Sequence, residues 1–177
     1  MSSSPSIKPA DEASIAKAVS LLREGKLVCL VSDRDVTGSG IEVEYFGEKA
    51  RMMGGSAALA VETGAALYPA MLWYEGDCWA IDVSEEIPVP AEGGRKQKVA
   101  LMTQELARRF EAGIRKHPAD WHMLQRMFVA DLDPARLARS LAAAEGAAQA
   151  ADGSGVADGS EVAGASEGEA GSPEVGG

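Results

Sequence analysis

The chain has 177 residues, 27 Asp and Glu against 17 Lys and Arg, and a formal net charge of −10. Seven of the acids fall from Ala142 onward, in an Ala-, Gly-, Ser- and Val-rich stretch with no Lys, Arg or aromatic residue, so the other 20 acids face all 17 bases and the body carries only about −3. A body so close to neutral excludes a duplex-binding surface, which needs surplus Lys and Arg to displace counterions.

No apolar run approaches the ~20 residues of a membrane-spanning helix, and the N-terminus has neither an apolar signal core nor a basic lead-in, so any membrane work is expected at a surface. Residues 1–10 are Ser- and Pro-rich and read as a frayed end. Asp11 or Ser14 can cap a helix to about Glu24, with Ile15, Ala18, Val19 and Leu22 on one face and Gly25 ending it. The apolar run Leu27–Val31 then has the length and β-branching of a strand buried on both faces. It stops at Ser32-Asp33-Arg34-Asp35, two carboxylates around a guanidinium, at the carboxyl end of a strand where open α/β sheets hold ligands. Thr37-Gly38-Ser39-Gly40 is a turn, and Ile41–Phe46 alternates like a half-exposed strand whose Glu42 and Glu44 form a solvated face rather than part of a metal cluster with Asp35.

Gly54-Gly55-Ser56 opens a second helix, Ala57–Thr63, closed by Gly64; the free N–H groups there suit an anion, or simply make a tight turn. Leu67–Trp73 and Cys78–Val83 read as a strand and its hairpin partner about Glu75-Gly76-Asp77, and the prolines of 86–92 keep that connection extended. Arg95–Lys116 is an amphipathic helix with Val99, Met102, Leu106, Phe110 and Ile114 on its core face. A short helix, Ala119–Phe128, is expected to carry His122 as a packed histidine, and Asp133–Ala144 to add a last helix. The tail, residues 142–177, has too few large apolar residues to offset its chain entropy and reads as disordered. Cys29 and Cys78 lack disulfide-scaffold or metal spacing and read as two buried thiols of a reducing cytosol.

Three blocks in order, VSDRDVTGSGIEVEYFGEKARMMGG, ALAVETGAALYPAMLWYEG and HPADWHMLQRMF, resemble the carboxyl-terminal half of the lipid A biosynthesis acyltransferases. The resemblance runs from about Leu21 to Asp133 and is strongest to the actinobacterial phosphatidylinositol mannoside acyltransferases. It implies an α/β, partial glycerolipid-acyltransferase-like fold over residues 11–141, a mixed sheet with flanking helices. It also implies peripheral work at the cytoplasmic face of the plasma membrane, moving palmitoyl from acyl-CoA, a co-substrate rather than a bound cofactor, to a mannose of the glycolipid acceptor. No metal is implied.

The family's general base is the histidine of a His-x-x-x-x-Asp/Glu motif in the amino-terminal half. This chain has only His117 and His122, with His and Met five places on, so a partner chain supplying that half is expected. Asp33 matches the family's acidic residue that supports that histidine; a carboxylate bonded to imidazole fixes its tautomer and stabilises the imidazolium. Arg34, Arg51 and Arg126 are candidate phosphate holders, because guanidinium forks suit phosphate. Alternatives of other classes are a non-catalytic lipid- or carrier-binding remnant and, from Gly54-Gly55-Ser56 alone, a nucleotide-binding α/β domain. A half-domain is also expected to bare a strand edge and an apolar face, and so to aggregate or need a partner.

Overall fold

A computed structural model describes residues 12–35, 40–135, 137–139 and 141–142. The frayed end, the Thr37–Ser39 part of the turn and nearly all of the disordered tail expected from sequence lie outside them. The chain is α/β, with helices flanking two antiparallel hairpins.

Helix α1, Glu12–Arg23, ends where the sequence places its stop. Gly25 takes φ 73°, and the Gly25 and Lys26 amides donate to the Leu22 and Leu21 carbonyls, a left-handed cap that a side chain at Gly25 would strain. Strands β1, Ile41–Tyr45, and β2, Glu48–Met52, pair through a two-residue turn at Phe46 and Gly47, both with positive φ, which matches the twist of the flanking strands. As the alternation implied, Val43 and Tyr45 are buried while Glu42 and Glu44 face solvent, Glu42 pairing with Lys49 at 2.8 Å. Helix α2, Gly55–Thr63, closes on left-handed Gly64. Strands β3, Ala70–Glu75, and β4, Cys78–Val83, form the second hairpin, turning at Gly76-Asp77.

Helix α3, Arg95–Lys116, is the spine. Its buried Val99, Met102, Leu106, Phe110 and Ile114 are the residues that the three-and-four spacing marks, and each contributes about 1.5–3 kcal/mol by leaving water. Its polar side chains also finish the first hairpin. The Gln104 amide accepts from the Glu44 N–H at 2.8 Å and donates to the Glu44 carbonyl at 2.9 Å, and Glu111 accepts from the Phe46 N–H at 2.8 Å. The outer edge of β1 is thereby satisfied by side chains rather than by another strand. Gly113 lets β3 approach α3: a Cβ there would stand 2.5 Å from Met71 Cγ.

Three expectations are corrected. Leu27–Val31 joins no strand among the described residues: Leu27 is 88% exposed and only Val28 of the run is half-buried, because no described strand pairs with it. Residues 119–128 are not a helix: after a 3-10 turn at Pro118–Asp120 the chain runs along β2, the Met127 carbonyl accepting from the Arg51 amide at 2.9 Å and Phe128 bridging Ala50. Burying Met127 and part of Trp121 and Phe128 against Tyr45 requires this extended path. Cys29 and Cys78 are exposed, one in the uncovered run and the other beside the outer hairpin's turn. Beyond the second 3-10 turn, Val129–Asp131, Asp133 caps the helical residues that follow, its carboxylate accepting from the Ala135 amide at 2.9 Å.

Candidate active site

A cavity of about 380 Å³ opens where the end of the uncovered run meets β3, the last turns of α3 and the segment after it. The run contributes Leu30 to Arg34, β3 contributes Ala70 to Trp73, and α3 contributes Phe110, Gly113 and Ile114. His117, Asp120, Trp121 and His122 close the far side. The lining is apolar at Leu30, Val31, Met71, Leu72, Phe110 and Ile114 and charged at Asp33, Arg34 and Asp120, and the partial exposure of Asp33 and Arg34 puts that pair at the rim, a combination that can sheath a chain while holding a polar group.

Asp33 and Arg34 lie on that rim, the carboxylate Oδ1 3.3 Å from the guanidinium Nε, with side chains 30% and 41% exposed. Their mutual pairing leaves both within reach of solvent and of a ligand in the cavity. Across from them the His117 imidazole stacks on Trp73, ring centres 4.2 Å apart and planes 10° from parallel. His122 is exposed and lines the cavity, so it is not the packed histidine of the sequence reading; the extended path of 121–128 turns it outward.

Behind the rim is a buried phenol. Tyr45 is fully buried, packed against Phe46, Trp121 and Phe128, and its hydroxyl has no hydrogen-bond partner among the described residues. Burial foremost, then the negative charges of Asp33 and Glu111, push this phenol well above its ordinary value of 10.0. Glu111 itself is held below the usual carboxylate range by the hydrogen bond from Arg115, with the Phe46 amide adding to it. A hydroxyl buried without a partner costs about 1–3 kcal/mol, so Tyr45→Phe is expected to raise stability by about 1–2 kcal/mol in urea unfolding near neutral pH. The gain should widen above pH 10.0, where the phenol of the unfolded chain ionises and that of the folded chain does not, so the wild type loses stability to this ionisation as pH rises and the variant does not. A less stable phenylalanine variant at both pH values would mean that the hydroxyl is held by a partner.

The other two arginines of the sequence reading do not line the cavity. Arg51 is buried on β2, donating to the Gly40 carbonyl and standing 3.9 Å from Asp35, whose carboxylate accepts from the Gly40 amide at 2.8 Å. Arg126 is exposed beyond it and donates to the Asp131 carbonyl at 3.4 Å. Sequence reasoning missed Trp73 as a lining residue and Tyr45, which does not line the cavity, as the buried phenol that feels the charge of Asp33. The signal for Tyr45 was the alternation that puts it on the same face as Val43, while Trp73 reaches the site only by tertiary packing against His117. Among the described residues no group of three His, Cys, Asp or Glu side chains is placed to hold a metal ion.

Residues 3–129 match the family model described as bacterial lipid A biosynthesis acyltransferase. The chain is similar to a Phosphatidylinositol mannoside acyltransferase of Mycolicibacterium smegmatis, 47% identical over 118 residues that make up 67% of this chain and 37% of the relative. It is also similar to the protein of the same name from Mycobacterium tuberculosis H37Rv, 49% identical over 118 residues, 67% of this chain and 36% of the relative. The chain thus spans little more than a third of the length of these curated relatives, and the part it matches is their carboxyl-terminal part.

Proposed function

The chain belongs to the bacterial lipid A biosynthesis acyltransferase family, and from that membership we propose that it takes part in moving a palmitoyl group from acyl-CoA to a mannose hydroxyl of phosphatidylinositol mannoside. The observation that carries the reading is the 47–49% identity to two relatives bearing the mannoside acyltransferase name. The acceptor is a lipid, so the work belongs at a membrane surface, on its cytoplasmic side where acyl-CoA is found. No helix among the described residues is long and apolar enough to cross a bilayer.

In this reading the imidazole that serves as general base comes from a His-x-x-x-x-Asp/Glu segment outside this sequence, and Asp33 accepts its second N–H. The imidazole takes the proton of the mannose hydroxyl as its oxygen attacks the thioester carbonyl. The C–S bond breaks, and the coenzyme A thiolate leaves and recovers that proton from the imidazolium, giving ester and thiol. The carboxylate's part is to hold the tautomer and stabilise the transient positive ring. Arg34, beside Asp33 on the rim, binds phosphate of coenzyme A or of the inositol headgroup as a planar fork. The apolar walls of the cavity sheath the methylene chain, each buried CH₂ contributing about 0.8 kcal/mol.

The test is radiolabelled palmitoyl-CoA with a phosphatidylinositol mannoside acceptor, this chain, and a polypeptide covering the unmatched length of the Mycolicibacterium smegmatis relative. Labelled acylated mannoside that forms only when both polypeptides are present is the expected result. No labelled lipid in a mixture where the two polypeptides demonstrably associate would overturn the reading.

A further inference from the structure

The outer hairpin turns one face to α3 and the other to solvent. On the solvent side Leu72 stands opposite Ile81, Tyr74 opposite Trp79 and Ala70 opposite Val83, and all six are exposed, Trp79 to 65%. The Tyr74 and Trp79 rings lie 4.1 Å apart, so the aromatic pair forms a continuous slab. Leu30 and Val31, also exposed, line the same cavity as Leu72. A contiguous apolar area of this extent is what a chain buries against a partner.

The charge around it narrows the choice. No Lys or Arg occurs from residue 52 to residue 94, whereas Glu75, Asp77, Asp82, Glu85 and Glu86 are exposed there and none is in an ion pair among the described residues. An acidic rim repels an anionic lipid surface, and a two-fold contact between copies of this chain would set these carboxylates against one another. We infer that the face carrying Leu72, Tyr74, Trp79 and Ile81 is a docking surface for a polypeptide that is apolar at its centre and basic around it. The choice of partner rests on the proposed function, in which the histidine-bearing two thirds of the relatives' length completes the site. The surface itself rests on exposure and charge alone.

The test is size-exclusion chromatography with light scattering of this full chain and the polypeptide covering the unmatched length of the Mycolicibacterium smegmatis relative. Three versions of the chain are compared: wild type, Ile81→Ser with Val83→Ser, whose side chains do not line the cavity, and Glu75→Lys with Asp77→Lys. All substituted side chains are exposed, and only variants whose far-UV circular dichroism matches the wild type are compared. The expected result is a one-to-one complex with a blue-shifted Trp79 emission, weakened at least about tenfold by either pair of substitutions and weakened by salt for the wild type. No complex, or a complex that both variants form as well as the wild type, overturns the inference. So does wild-type binding to phosphatidylglycerol vesicles, or self-association, that the Ile81→Ser and Val83→Ser variant loses. The label from the transfer assay separates the two readings: a complex without acyl transfer removes the proposed function and keeps the docking surface, while transfer untouched by either variant does the reverse.

Discussion

Arg51→Leu is expected to lower the free energy of unfolding by about 3–5 kcal/mol, the cost of breaking a buried ion pair by removing one of its members. The guanidinium and the Asp35 carboxylate are 7% and 5% exposed, their nearest atoms 3.9 Å apart. Gly40 ties the two together, its amide donating to Asp35 and its carbonyl accepting from Arg51. A Cβ at Gly40 would lie 2.7 Å from the Asp35 carboxylate and 2.9 Å from the Met52 carbonyl, so this arrangement is closed tightly around a glycine. Removing both charges, as Asp35→Leu with Arg51→Leu, should recover a large part of the loss, because apolar groups of similar size carry no desolvation penalty. Urea unfolding of the three proteins measures it. A stable single variant whose defect is a raised KM for acyl-CoA would instead return Arg51 to the phosphate-holding role that its type suggests in sequence.

The second large effect concerns chemistry. Asp33→Asn, assayed with the histidine-bearing polypeptide present, is expected to lower kcat about 10²- to 10⁴-fold with little change in KM, as for loss of a group that supports a general base. Asp33 is partly exposed and its ion pair to Arg34 is at the surface, so the same substitution should change stability by no more than about 1 kcal/mol. That contrast with Arg51 separates a residue held for chemistry from one held for the fold. A loss of activity matched by a loss of folded protein would show that Asp33 is structural.

Much of this architecture is legible in the sequence because its signals are local. The spacing of Val99, Met102, Leu106, Phe110 and Ile114 gives α3 and its buried face, and Gly25 and Gly64 mark two helix ends. Strand β2 is hidden because Glu48-Lys49-Ala50-Arg51-Met52 does not alternate. Three consecutive residues of it are buried, and Met127 and Phe128 lie along its edge. Leu27–Val31 misleads for a different reason. An apolar run reports a tendency to be covered, and among the described residues only Val28 of this run is half-buried. In the site, the Asp33-Arg34 pair is visible as charge at the end of an apolar run. The stacking of Trp73 on His117 joins residues 44 positions apart and has no local signal.

The central claim, that Asp33 serves an imidazole brought from outside this sequence, is tested most directly by the pH dependence of kcat/KM for palmitoyl transfer in the completed assembly. A carboxylate beside the ring raises the imidazole's pKa, so Asp33→Asn should move the acidic limb of the wild-type profile to lower pH along with the fall in rate. An acidic limb at the same pH in both proteins, with the rate unchanged, would contradict it.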